Sequence, residues 1–373
     1  STEVLPRLLC GQSYKRPFVV VSRTLAEKTG DLSALRQALP VELAGFYNAI
    51  RSHTPREDAL ELLDQVRESG ADVIISVGGG SVIDAGKFVQ LAIAQGLKHE
   101  SEILQYAQQE NGSKGAKHGD FRLFSSTDKI RQLAIPTTLS GAEFSNSAGV
   151  LNSSSGSKES YRGPRLCPQA IVYDPELAGH TPSWLWLSTA IRSLDHAIEG
   201  FSSGQSSAFL DGHFLHAITL FSQSLPAASN SQGDQVAINL NQQAVWLACC
   251  GLGTVPHGAS HGIGYILGAM CAIPHGYTSC VMLPAVLEWN ATVLGEKSYV
   301  IADAMGQGSQ DAHEAVKTLI SDLGLPTSLR QLDVPRHLLQ QIAERAFAHP
   351  VVVKNPRPIE SVADVSAILE IAW

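Results

Sequence analysis

From Gln235 to Leu287 the chain carries no Asp, Glu, Lys or Arg. A stretch so poor in charge is expected to be core. It does not read as a membrane span. Gly251, Gly253, Pro256, Gly258, Pro274 and several Asn and Gln residues interrupt every run approaching the roughly 18 apolar residues a bilayer requires. Basic excess is missing too: 27 Lys and Arg stand against 35 Asp and Glu, for a formal charge of −8. With a pI near 5.9, that balance argues against nucleic acid or an anionic membrane as partner. Cysteine is scarce, with six residues at positions 10, 167, 249, 250, 271 and 280, no CxxC pair and no zinc-ribbon spacing. They read as small apolar fillers of a reduced, cytoplasmic protein. The first residues, Ser1 to Arg7, lack the basic and apolar regions of a signal peptide.

What is present is a globular composition, 44% hydrophobic with a mean hydropathy of +0.03. A chain of 373 residues exceeds one ordinary domain of about 100–200, so two domains are expected. In the first half, short apolar runs alternate with amphipathic stretches. Strands are expected at Phe18–Val21, Gly45–Ile50, Val73–Val77, Leu133–Ile135 and Ile171–Pro175, and helices over Leu25–Ala38, Arg56–Ser69 and Val82–Ala94. That alternation predicts a parallel, doubly wound sheet. The polar segment 96–127 reads as a surface excursion without chemistry of its own. From Pro182 onward the pattern is helical almost to Trp373.

Two groups of residues carry chemistry. Gly78-Gly79-Gly80-Ser81 follows an apolar strand and opens a helix, where missing side chains let a pyrophosphate approach free backbone N–H groups. Asp84 and Lys87 follow at the mouth of that turn; a surface ion pair is their plainer reading. Pro136-Thr137-Thr138-Leu139-Ser140-Gly141 ends another strand, where doubly wound sheets bind ligands; a hydroxyl-capped turn is the alternative. In the helical half, Arg192 and His196 share a helix face, as do His261 and Tyr265, and His275 follows Pro274. Those imidazoles suit a metal site or proton transfer. His213, His216 and His257 read as structural, and Asp195 and Glu199 as pointing elsewhere on their helix.

Several of these phrases together resemble the iron-containing (group III) alcohol dehydrogenase superfamily, with its dehydroquinate synthase-like fold. They are Gly-Gly-Gly-Ser-x-x-Asp-x-x-Lys at 78–87, Pro-Thr-Thr at 136–138, Asp174-Pro-Glu-Leu177, His196-Ala-Ile-Glu199 and His261 with Pro274-His275-Gly276. The branch most like this chain is that of maleylacetate reductases, through Lys158, Arg162-Gly-Pro-Arg165, Leu325–Arg330 and Asn355–Pro358. The resemblance implies an α/β dinucleotide-binding domain over 1–176 and an all-α catalytic domain over 177–373, with an active site in the cleft between them. It also implies a homodimer.

The chain departs from the family where chemistry is concentrated. Metal-binding members carry Asp where this chain has Arg192, a second His where it has Tyr265, and Ser where it has Ala142. The acid that often faces the adenosine ribose is Ser22, followed by Arg23. The expectation is an NADPH- or NADH-dependent oxidoreductase that works without metal and reduces an oxo, enoyl or aldehyde group of a small carboxylated substrate. Cofactor contacts would come from Ser22, Gly78, Gly79, Gly80, Ser81, Asp84, Thr137, Thr138, Ser140 and Gly141. Arg192, helped by Lys158, Arg162 or Arg165, would hold the carboxylate, and His196, His261, His275 or Tyr265 would give the proton. Were a metal bound, His196, His261 and His275 would be its ligands. The alternative is a lyase, isomerase or cyclase that has lost hydride transfer.

Overall fold

The computed structural model describes residues 1–28, 31–109, 113–117, 130–163, 165–230 and 234–373. It divides into two units, Ser1–His180 and Thr181–Trp373. The first unit is built on strands β1 (Pro17–Val21), β2 (Gly45–Tyr47), β3 (Val73–Gly78), β5 (Arg131–Pro136) and β8 (Ala170–Ile171), paired in the order β2-β1-β3-β5-β8. Every pairing is parallel. Helices α1 (Val4–Gly11), α2 (Arg23–Lys28), α3 (Asp31–Ala38), α4 (Arg56–Ser69) and α5 (Gly80–Ala94) cover it.

The near-continuous apolar runs are explained by burial on both faces. Phe18, Val20 and Ile74 pack with Leu62, Leu63 and Val66 of α4 and Phe88 of α5. Their neighbours Val19, Val21, Ile75 and Val77 pack with Leu5 and Leu9 of α1 and with Leu35. Two cores therefore lie on opposite sides of one sheet, because successive strand residues point to opposite faces.

Two expectations need correction. The helix expected over Leu25–Ala38 is described as α2 and α3, with residues 29 and 30 between them outside the described residues. The last strand ends at Ile171, and Asp174 instead caps the short helix α7 (Pro175–Ala178) by accepting from the Leu177 N–H at 3.0 Å. The polar segment 96–127 contributes structure: α6 (Glu100–Ile103) leads into β4 (Ala107–Gln109). β4 pairs antiparallel with β7 (Ser157–Arg162), which pairs with β6 (Ser147–Asn152). Residues 110–112 and 118–127 of that segment lie outside the described residues. This second sheet escapes the hydropathy pattern because its inward residues include Glu159, which is buried with Tyr161 and receives Arg56 and the Tyr161 hydroxyl.

The second unit is helical: α8 (Ser183–Ser202), α9 (Ala208–Asn230), α10 (Gln235–Cys249), α11 (Ala259–Cys271), α12 (His275–Leu294), α13 (Glu296–Ala304), α14 (Ala312–Asp322), α15 (Leu339–Phe347) and α16 (Val362–Ile371). The charge-free stretch supplies α10 to α12. Most of α11 and α12 is buried, as that composition demands. The reading fails for α10, whose outer face leaves Val236 72% and Trp246 60% exposed. Gly276 lets α12 approach α8, since a Cβ there would stand 2.6 Å from the Ser188 backbone. That close approach carries Ser279, one turn along α12, to Asp195 of α8.

Candidate functional site

In the first unit the sheet order reverses between β1 and β3, the topological switch point at which doubly wound sheets bind ligands. Both chains leave the sheet there. β1 runs into Ser22, whose N–H donates to the Val77 carbonyl at 3.0 Å, and β3 runs into Gly78, Gly79 and Gly80. Helix α5 begins without a side-chain cap, so its first-turn N–H groups and the positive end of its dipole face the crevice. Little room is left for side chains at two of the glycines. A Cβ on Gly79 would lie 2.9 Å from Thr138 Cγ2, and one on Gly80 would lie 3.2 Å from Ser140 Oγ. Thr137 is joined to the turn through its N–H to the Gly78 carbonyl at 3.0 Å, and Gly141 takes the left-handed conformation, φ 73°. Ser22, Gly78, Gly79, Gly80, Thr138, Ser140 and Gly141 thus line one crevice.

Two other residues expected at the cofactor, Ser81 and Asp84, are engaged elsewhere. Ser81 Oγ accepts the His53 N–H at 2.9 Å, and the Ser81 carbonyl accepts the Thr54 hydroxyl at 3.0 Å. The loop so held has two successive non-glycine residues in the left-handed region, His53 (φ 66°) and Thr54 (φ 55°), a strain that such loops keep only where the surroundings over-determine them. Asp84 accepts from Lys87 Nζ at 3.3 Å and from the Gly149 N–H at 3.0 Å, so both its oxygens have protein partners. The pair is not a surface one. Lys87 is fully buried and also reaches the carbonyls of Ala142 and Ser147. Beside it, burial pushes the Glu143 carboxyl up to about 7, against the nearby Lys87 charge. Lys158 is half-buried on β7, while Arg162 and Arg165 are exposed.

The second unit gathers side chains that the sequence scatters over α8, the start of α11 and α12. His261 is fully buried, and its Nδ1 lies 2.7 Å from Glu199 Oε2. Its Nε2 lies 2.8 Å from His196 Nδ1, which in turn stands 3.1 Å from His257 Nε2. The three rings stack with centroids 3.9–4.7 Å apart. His257 therefore belongs to the cluster and is not the merely structural residue expected. It sits just before α11, four residues ahead of His261, the same spacing that pairs His261 with Tyr265.

Asp195 and Glu199 likewise do not point away. Glu199 accepts the N–H groups of Gly258 at 2.9 Å and Ser260 at 2.8 Å, placing a carboxylate on the otherwise uncapped start of α11. Asp195 Oδ2 accepts the hydroxyls of Ser260 at 2.8 Å and Ser279 at 2.6 Å, and Ser279 receives Arg192 Nη1 at 3.0 Å. Arg192 is thereby joined to a buried carboxylate through one hydroxyl. Burial pushes both carboxyls up, and the Asp195 charge raises Glu199 further. Burial and the Arg192 charge hold His261 well below the usual imidazole range.

Tyr265 occupies a separate corner. The Arg192 guanidinium lies 5.3 Å from its ring centre, and the rings of His275, His349 and His261 lie at 5.8, 5.6 and 6.4 Å. His275 thus neighbours Tyr265, and His349 is an addition that no spacing signalled.

Family models for "Iron-containing alcohol dehydrogenase" and "Fe-containing alcohol dehydrogenase family, C-terminal" match residues 1–175 and 186–373. The chain belongs to the iron-containing alcohol dehydrogenase family. Dehydrogenase FUM7 of Gibberella moniliformis is 31% identical, over 96% of this chain and 90% of its own length. The maleylacetate reductase of Burkholderia cepacia is 27% identical, over 93% and 87%. The crystal structure of a 1,3-propanediol oxidoreductase superposes with a TM-score of 0.87 at 25% identity, covering 100% of this chain and 96% of that one. This dehydrogenase is accordingly an oxidoreductase that uses a nicotinamide dinucleotide, with maleylacetate reductases among its relatives.

The family description makes iron a question for the residues present. The expectation of a metal-free site rested on Arg192 in the ligand position beside only three imidazoles, and the conditional ligand set was His196, His261 and His275. That expectation is not supported. The His196, His257 and His261 ligand atoms all lie within 4.8 Å of one another, and His261 is anchored from behind by Glu199, the usual support of a metal-bound imidazole. Arg192 is directed to Ser279 and Asp195. These residues fit a divalent ion.

Proposed function

We propose that this dehydrogenase reduces an oxo, enoyl or aldehyde group of a small carboxylated substrate at the expense of NADPH or NADH. Bound over the glycine crevice, the reduced dinucleotide supplies a hydride. A divalent ion on the imidazoles would polarise the substrate oxygen. Ser22, followed by Arg23, replaces the acid that disfavours a 2′-phosphate, so NADPH is accepted at least as readily as NADH.

The observation that carries the substrate class is Arg192. It is 6% exposed, and its only hydrogen bond to the described residues uses Nη1, to Ser279. Nε and Nη2 remain for a carboxylate, which a guanidinium meets in a planar fork. Tyr265, beneath that guanidinium, donates the proton as negative charge develops on the substrate oxygen. His275 and His349 flank its ring and restrict its orientation.

The test is a panel of small oxo, enoyl and aldehyde compounds, each with and without a carboxylate, followed by loss of the reduced nicotinamide's near-ultraviolet absorbance. The carboxylated members should turn over. Arg192→Lys should raise their KM at least about tenfold while leaving dinucleotide affinity unchanged. Equal turnover of the uncharged analogues would refute the substrate class.

A further inference from the structure

Two buried acids of the first unit, Asp58 and Glu159, each meet an arginine, Arg51 and Arg56. Glu143, 1% exposed, makes no ion pair with the described residues. Its Oε1 accepts the Tyr173 hydroxyl at 3.3 Å, and its Oε2 has no hydrogen-bond partner among the described residues. The nearby Lys87 ammonium spends its three protons elsewhere. It donates to Asp84 Oδ1 at 3.3 Å and to the carbonyls of Ala142 at 2.5 Å and Ser147 at 2.8 Å. Asp84 and Lys87 thus balance each other, and an ionised Glu143 is a surplus negative charge. Facing it are that pair on α5, the Cys167 thiol ahead of β8 and the Tyr173 phenol beyond it. Burial pushes the Glu143 carboxyl up to about 7, so it exchanges its proton near neutral pH.

That carboxyl belongs to the wall of the glycine crevice. It lies on the turn Ala142–Phe144, which follows Gly141 and is closed by the Phe144 N–H on the Gly141 carbonyl at 3.0 Å. Ala142 faces the start of α5, where a Cβ on Gly80 would stand 3.4 Å from the Ala142 Cβ. We infer that Glu143 is a positioning residue for the dinucleotide, taking up a proton from solvent as the phosphates settle over the α5 N-terminus, so that pH sets cofactor affinity. The inference rests on the crevice being the dinucleotide's seat. The phosphates bring negative charge toward a buried carboxylate that no cation neutralises. Like charges so placed are poorly screened, and their repulsion weakens binding by about tenfold. Binding therefore favours the neutral acid, whose Oε1 still accepts the Tyr173 hydroxyl. The sign follows: the complex holds the proton to higher pH than the free enzyme does. Affinity is full below about pH 6 and falls as pH rises through 7.

The experiment titrates the full chain with NADH, without substrate, in a calorimeter at about pH 7.5. Two buffers of different ionisation enthalpy are used, because a proton taken from the buffer makes the measured heat depend on it. The wild type should take up about half a proton per NADH bound, a readout that needs no variant to fold. By fluorescence, its Kd for NADH should rise about tenfold between about pH 6 and 8.5. Glu143→Gln, neutral throughout, should take up no proton and should hold the low-pH wild-type Kd across that range. NADH binding without proton uptake in the wild type overturns the inference, as does a Glu143→Gln variant that keeps the wild-type pH dependence. Either result leaves the crevice as the dinucleotide's seat. Gly79→Val tests that seat separately: an unchanged NADH affinity there removes the seat, and the inference with it.

Discussion

The glycine crevice of the first unit and the imidazole cluster of the second are built in opposite ways. The crevice is made of backbone: a strand end, a helix start and residues chosen for what they lack. The cluster is made of side chains from α8, the start of α11 and α12, each held by another. A backbone site is encoded in a few consecutive residues, so its motif survives in the sequence. A convergent site is encoded in packing, so its members are recognised only once the helices are in place.

That contrast can be broken most forcefully at Glu199. Glu199→Ala removes the acceptor for two backbone N–H groups and His261 together, and should cost about 3–5 kcal/mol in denaturant unfolding. Glu199→Gln keeps an acceptor oxygen and should cost less than half of that. If the alanine variant is as stable as wild type, the cluster is not the mutually supported unit described.

The next effect tests whether the first unit also hides a costly buried group. Glu143 has an ordinary value of 4.5 and is raised to about 7 in the fold. The folded state therefore binds the extra proton between those values, and stability falls as pH rises through that window. The loss is up to about 3 kcal/mol. Glu143→Gln should remove this fall, so the wild-type minus variant difference in unfolding free energy should slope downward from about pH 4.5 to 7. Parallel curves would refute the buried carboxyl's contribution.

Chemistry in the second unit should respond to a single oxygen. Tyr265→Phe should lower kcat about hundredfold or more, roughly 2.7 kcal/mol, with little change in KM. Near-full activity in that variant, beside inactive His261→Ala, would move the proton to a histidine and leave the tyrosine as wall. The smallest effect belongs to the crevice. Gly79→Val, whose side chain meets Thr138, should weaken dinucleotide binding by more than about tenfold, about 1.4 kcal/mol. Unchanged affinity in a fluorescence titration would remove the turn from the cofactor site.

The sequence by itself determined the parallel sheet, the helix at Arg56–Ser69 and the glycine turn, because periodicity and small residues at a strand end are local signals. It also marked Arg192, His196, His261, His275 and Tyr265 as chemically loaded. It misjudged the polar strand β4 and did not mark its partner β7, since an inward Glu159 paired with Arg56 carries no hydropathy signal until its partner is seen. Only the tertiary structure decided which imidazoles meet. Helical spacing placed Asp195 and Glu199 away from His196 on their own helix, and they are in fact turned toward α11 and α12. Gly258 and Gly276 permit those approaches: a Cβ on Gly258 would stand 3.0 Å from Glu199 Oε1, as one on Gly276 would meet the Ser188 backbone. The identity of a convergent site depends on interhelical distances of this kind, and these are set by packing across residues far apart in the chain.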